Sequence, residues 1–425
     1  MAFPFGIFFS RRVAWVNWPW VTLAEGVDTM RGCQGLRSKS KSHEISSWLY
    51  GATGLVIAGL ILLHAGCGQP SQRQTAAPAP PPTVSAPAPQ GAMAEKPAEA
   101  AQAAGEPFVI TPPLGLPPVP VPPDNPMTRA KVELGKMLYF DTRLSVDGTI
   151  SCATCHDPQK AWAEDRPVSV GFKGQLGPVN SPTVINTAYA PVLFWDGRAG
   201  SLEEQALGPI ENPKEMGHSL DELVKQLSEI PEYVQRFQEA FGTGVTKEGI
   251  AKALAAFERT ILSGNSPYDR YRAGDKSALT EQQIRGLQIF EEYCSVCHAP
   301  PLFSNYQFFN TGIGLEREES NKGRMGVTGD ERDFGKFRVP PLREVARTAP
   351  YFHDGSVATL EEAVRLMAKG GIDNPGLAAP LKAIRAAELT DQHVADLVAF
   401  LHALSGEYPI VEPPPLPGLS PAKSE

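Results

Sequence analysis

Cys152-Ala153-Thr154-Cys155-His156 and Cys294-Ser295-Val296-Cys297-His298 place two thiols and an imidazole at the same spacing twice. C-x-x-C-H is the attachment signature of a c-type haem. Thiols one helical turn apart add to the two vinyl groups of a porphyrin, and the adjacent His lies beneath the ring with a nitrogen for the iron. Two other chemistries use the same atoms. A pair of C-x-x-C units could close a tetrahedral zinc site, but zinc has no use for a His directly after the second Cys in both. A thioredoxin-type dithiol starts a helix after a strand, and no strand-rich run precedes either motif. The motifs hold four of the six cysteines, and this predicts two covalently attached haems.

Each motif needs a helix to carry it. Met127 to Phe140 has Val132, Leu134, Met137 and Leu138 near helical spacing, and a loop with Asp147-Gly148 leads from it to Cys152. In the second half Thr280-x-x-Gln283 reads as a capping box opening a helix with Ile284, Leu287 and Phe290, which runs straight to Cys294. Gly135, Leu138 and Tyr139 are echoed by Gly286, Ile289 and Phe290, so the halves read as two related cytochrome c-like units. Two further helices are expected. Lys247 to Leu262 turns Ile250, Leu254, Phe257 and Ile261 inward, and Thr390 to Leu404 carries Val394, Leu397, Val398 and Leu401 on one face with Gly406 as its stop. No stretch alternates with period two. The fold class is therefore mainly α: two haem domains with long loops.

The chain has 425 residues and a formal charge of −8, which excludes a nucleic-acid partner on electrostatic grounds. Its prolines cluster toward the two ends. The apolar run Leu49 to Leu63, preceded by Arg31, Arg37, Lys39 and Lys41, suits a secretory leader better than a spanning helix. It ends in Leu63-His64-Ala65-Gly66-Cys67, which resembles a lipoprotein cleavage box with Cys67 as the lipid-bearing residue; His64 is unusual there and leaves an uncleaved anchor open. A start at Met30 would give a leader of ordinary length. The organisation expected is a leader over 1–67, a Pro/Ala-rich linker over 68–124, haem domains over 125–275 and 276–412, and a flexible tail over 413–425. Export to the periplasmic side follows from that leader.

Between the motifs lie Asn180-Ser181-Pro182-Thr183 and Phe194-Trp195-Asp196-Gly197-Arg198, and after them Thr348-Ala349-Pro350-Tyr351-Phe352-His353 and Ala363-Val364-x-x-Met367. With the two haem motifs, these make residues 125 to 410 resemble the bacterial di-haem cytochrome c peroxidases. The resemblance implies a peroxide-reducing haem on His156 and an electron-accepting haem on His298 with Met367 as its second axial ligand. It implies Trp195 between the haems, Gln205 and Glu215 on the peroxide side, and a calcium ion held by Asn180 with the carbonyls of Thr348 and Pro350. The donor would be a small cytochrome c or cupredoxin, and a homodimer is left open. The chemistry agrees. Cleaving hydrogen peroxide requires a group that takes a proton from one oxygen and returns it to the other, which one carboxylate can do. Without the family, Glu215 reads as a solvated loop residue and Met367 as core. His353 is expected near the haem propionates or as a structural residue, and His218 has no assigned role.

One position departs from the family. Many members carry a His ligand in the loop before Asn180, and here that segment is Ser169-Val170-Gly171-Phe172-Lys173-Gly174. Phe172 cannot bind iron, so an open peroxide site that needs no reductive activation is expected. Two alternatives remain. A MauG-type enzyme oxidising a partner protein would have Tyr where Met367 stands, and a non-enzymatic di-haem electron carrier would need neither Glu215 nor Gln205.

Overall fold

The structure, a computed structural model, describes residues 105–418 apart from Glu319. The leader, Cys67 and most of the expected tether lie outside these residues. Among the described residues no helix is long and apolar enough to cross a membrane.

The first half contains α1 (Arg129–Phe140), α2 (Cys152–Cys155), α3 (Leu202–Glu211), α4 (Leu220–Ser228), α5 (Pro231–Phe241), α6 (Lys247–Glu258) and α7 (Pro267–Arg272). The second half contains α8 (Glu281–Tyr293), α9 (Met325–Thr328), α10 (Leu360–Ala368), α11 (Ala379–Ala386) and α12 (Asp391–His402). Strands β1 (Phe308–Asn310) and β2 (Lys336–Arg338) pair antiparallel with Phe309 opposite Phe337. The fold is mainly α, as expected.

Local chemistry sets the helix ends. The Thr128 hydroxyl accepts from the Lys131 amide, so α1 begins at Arg129 rather than at Met127. The Thr280/Gln283 capping box forms as the sequence predicts, and Thr390 with His393 makes another at the start of α12. α6 ends at Glu258, short of the expected Leu262, although Ile261 remains fully buried beyond it. Gly406 does not stop α12, which is capped by Ala403. A Cβ at Gly406 would lie 2.1 Å from the Gly264 carbonyl oxygen, so glycine is required there for the close approach of two segments.

Both halves rest on the same helix crossing. A Cβ on Gly135 of α1 would lie 1.9 Å from the Ala253 carbonyl oxygen and 2.9 Å from the Phe257 Cβ of α6. A Cβ on Gly286 of α8 would lie 1.9 Å from the Asp396 carbonyl oxygen and 2.8 Å from the Phe400 Cβ of α12. Four residues after each glycine an aromatic ring meets that Phe: Tyr139 and Phe257 are 5.3 Å apart, Phe290 and Phe400 5.0 Å. A third buried ring joins each pair from the loop after the haem motif, Trp162 at 5.5 Å from Tyr139 and Phe303 at 5.8 Å from Phe290. Edge-on and tilted contacts of this kind add to the burial of large apolar area.

The ends of the described chain tie the halves together. The linker expected up to 124 is already packed over its last part: the Phe108 amide donates to the Met127 carbonyl, and the Tyr189 hydroxyl to the Pro117 carbonyl. The Asn265 amide donates to the Leu114 carbonyl, and buried Arg343 pairs with Asp269 at 2.8 Å while reaching the Gly115 carbonyl. At the other end the Trp162 indole donates to the Pro409 carbonyl at 2.8 Å. The expected tail also begins against the body, with Gly418 beside Ile230 and Arg143.

In an open helix, Gly→Ala gains about 1 kcal/mol. At the two crossings the sign should reverse, because the methyl meets backbone and overpacking costs about 1–3 kcal/mol. Denaturant unfolding of haem-loaded Gly135→Ala and Gly286→Ala should show both destabilised; a stabilised variant would refute the close crossing.

Candidate functional site

α2 is one turn long and presents Cys152 and Cys155 to a cavity that His156, its C-terminal cap, also lines. Burial pushes both thiols up, Cys155 to about 11, and drives the His156 imidazole down to about 4. The ring is therefore neutral, the form that coordinates a metal. Its Nδ1 is buried with no hydrogen-bond partner among the described residues. The second motif repeats the arrangement. Cys294, Cys297 and His298 line a second cavity, burial raises the Cys294 thiol to about 12, and burial lowers the His298 pKa. His298 Nδ1 lies 2.9 Å from the Phe303 carbonyl oxygen, a contact that orients the ring and leaves Nε2 to act as a ligand.

Among the described residues no group of His, Cys, Asp or Glu side chains converges as a metal site, so the two C-x-x-C pairs do not meet around zinc. Each instead borders its own cavity. The residues fit two c-type haems: paired thiols, a neutral imidazole and, for the anionic propionates, a buried cation with a donor to spare. That cation is Arg338, buried on β2, whose Nη1 has no partner and which lines both cavities.

Trp195 stands in the wall that both cavities share, with Asn180, Ser181, Pro182, Thr183 and Phe337. Its indole donates to the Asn180 carbonyl at 2.9 Å, and its own carbonyl accepts from the Arg338 amide at 2.8 Å. His353 stacks on Phe337 with ring centroids 3.5 Å apart and borders the second cavity, with its Nε2 unpartnered. His218 is occupied elsewhere, its Nε2 lying 3.0 Å from the Gln226 side-chain oxygen.

The first cavity brings Glu215 and Gln205 together with His156. Gln205 comes from α3, which starts at the Ser201 cap. Glu215 sits in the turn after that helix, where its amide donates to the Asn212 carbonyl at 2.9 Å. Desolvation raises the Glu215 pKa, while Arg198 and the Asn212 side chain pull it down. Phe172 lies behind this turn. Its amide donates to the Glu215 carbonyl at 2.8 Å, and its ring packs so closely on Gly217 that a Cβ there would lie 2.4 Å from it. Phe172 itself is not among the residues lining the cavity.

Met367 of α10 borders the second cavity with His298 and packs beside Tyr293, Leu381 and Ile384. Asn180, Thr348 and Pro350 line that cavity too. The Asn180 side-chain amide donates to the Arg166 carbonyl at 3.0 Å. Sequence reasoning passed over Arg338 and Glu258. Glu258 lines the first cavity at 6% exposure, and its spacing of four from inward-facing Leu254 was the available signal.

A profile of the family described as "Di-haem cytochrome c peroxidase" matches residues 129–277, and one described as "Cytochrome c" matches 283–405. The cytochrome c551 peroxidase of Pseudomonas aeruginosa is 42% identical over 69% of this chain and 84% of its own length. The cytochrome c peroxidase Ccp of Escherichia coli is 41% identical over 68% of this chain, which spans 61% of that longer relative. The methylamine utilization protein MauG of Methylorubrum extorquens is 37% identical over 70% of this chain and 85% of itself. Among solved structures, a MauG-like protein associated with microbial copper homeostasis superposes with a TM-score of 0.62 at 35% identity, covering 69% of this chain and 94% of that one.

Proposed function

Because the chain belongs to the di-haem cytochrome c peroxidase family, we propose that it reduces hydrogen peroxide to water with electrons from a small cytochrome c or cupredoxin. One observation carries this reading: Glu215 and Gln205 share a cavity with His156, and Trp195 borders that cavity and the next. When bound, the haems supply peroxide binding and reduction in the first cavity and electron acceptance in the second.

The rest of the work falls to side chains. Glu215, with its pKa raised by burial, takes a proton from one peroxide oxygen and delivers it to the departing one. Gln205 orients the peroxide by its amide. Arg198 limits how far the Glu215 pKa rises, so that the carboxylate form survives as a base. Trp195, held at its indole nitrogen and its backbone, offers a fixed π-system between the cavities. Met367 and His298 would hold the second haem, where thioether sulfur would favour the reduced iron. A MauG-type activity on a partner protein is the second reading. Met367 speaks against it because the MauG-type enzymes have Tyr there.

Two details extend the proposal. Phe172, turned onto Gly217, supplies no ligand, so a haem held by His156 would keep an open face in the fully oxidised protein. A calcium ion held by Asn180 Oδ1 and the carbonyls of Thr348 and Pro350 would fix Asn180 and, through its carbonyl, the Trp195 indole.

Glu215→Gln should keep both haems and lower peroxide turnover by about 10²–10⁴-fold. The parental rate should fall on acidification through the raised pKa of Glu215, because protonation removes the base; this acid limb should vanish in the variant. A variant with parental turnover would sink the assignment. Electron paramagnetic resonance of the diferric protein should show a high-spin signal from the first haem before any reduction; two low-spin haems would exclude the open face. Verified calcium removal should slow turnover and weaken electronic coupling between the haems, and an unchanged enzyme would refute the calcium site.

A further inference from the structure

The same glycine-to-helix contact occurs in both halves, and it sets a register in which they can be compared position by position. Gly135 on Ala253 and Phe257 corresponds to Gly286 on Asp396 and Phe400. By the same register Leu254 matches Leu397, and both line their cavities. The next inward position matches Glu258 with Leu401, and these also line the first and second cavities respectively. One repeat therefore places a carboxyl against its haem space where the other places an isobutyl group.

That carboxyl is unusual in its own surroundings. Glu258 is 6% exposed, and its side-chain carboxyl makes no hydrogen bond or ion pair with any described residue. Burying such a group without a partner is costly, and a structural role would be served better by leucine, as in the other repeat. Burial shifts its pKa up to about 8, where it changes charge near neutrality. The charged and titratable groups bearing on it come from four elements. Arg259 follows it at the end of α6 but is committed to Glu203 of α3 at 2.8 Å. Tyr139 of α1 donates to the His156 carbonyl, and Cys152 of α2 is the attachment thiol.

We propose that Glu258 is the proton partner of the first haem: its carboxylate takes up one proton when that haem takes up one electron from the second, and releases it on reoxidation. The electron comes from the neighbouring haem and the proton from solvent, so the net charge of the cavity is unchanged by the transfer. Leu401 cannot do this, so reduction of the second haem carries no such proton. The inference needs a haem on Cys152 and Cys155 but does not depend on peroxide being the substrate.

Spectroelectrochemical titration of the di-haem protein, without peroxide or donor, tests this directly. The first haem's midpoint potential should fall as pH rises, by up to about 59 mV per tenfold drop in proton concentration for a one-electron couple. This slope should hold between the pKa values of Glu258 in the oxidised and reduced states, and the second haem should lack it. Glu258→Gln and Glu258→Leu should flatten the first slope and leave the second haem unmoved. The leucine variant copies the packing already used at Leu401, so one of the two remains interpretable if the other loses haem. A parental protein with no slope, or variants that retain it, would overturn the proposal. Loss of peroxide turnover in any of them would bear only on the peroxidase reading.

Discussion

At Gly135, and again at Gly286, one helix rests on the carbonyl of another with no room for a methyl group. Everything functional is placed relative to these contacts. Close approach lets Tyr139 meet Phe257 and Phe290 meet Phe400; the Tyr139 hydroxyl then reaches the His156 carbonyl, and Phe290 lines the second cavity. Because packed interiors yield little, a crossing fixed at backbone distance fixes the cavity beside it. The thiols and imidazoles then need only a turn of chain, α2 in the first half and the end of α8 in the second, to face that space.

The repeat makes the cavities alike and local substitutions make them different. The second is lined mainly by apolar side chains, Met367, Leu397 and Leu401 among them, with His298. The first has Glu215, Gln205, Arg198 and Glu258 on its walls. An apolar surround with a thioether suits a centre that only exchanges electrons, whereas proton-bearing groups suit one that cleaves an O–O bond. Trp195 and Arg338 belong to both surrounds. Their mutual backbone contact keeps the shared wall in place across the junction of the halves.

Several features were readable before any coordinates. Thr280 and Gln283 cap α8 as their spacing requires, and the echo of Gly135 and Tyr139 in Gly286 and Phe290 proved to be a shared helix crossing. Other boundaries moved for physical reasons. Thr128 captures the Lys131 amide and starts α1 late, and Ala403 rather than Gly406 caps α12 because Gly406 is needed against Gly264. Proline-rich sequence before 125 looked like linker throughout. Its later part is ordered by partners hundreds of residues away or nearly so, such as Arg343 at Gly115, which no local pattern announces.

By itself the sequence determined the covalent chemistry and the helical frame, because both are written in short spacings: two thiols and an imidazole within five residues, apolar positions at helical period, a Thr three residues before its capping partner. Only tertiary structure decided which residues face which cavity. Glu215 lies in a turn and Gln205 on a helix, and folding of the chain between α3 and the Phe172 loop brings both to His156. Trp195 became a shared wall only when β2 arrived with Arg338 beside it. Glu258 is a glutamate at the end of an amphipathic helix in the sequence, and a buried, unpartnered carboxyl in the fold. The difference is desolvation, which depends on everything that surrounds a residue and not on its neighbours in the chain.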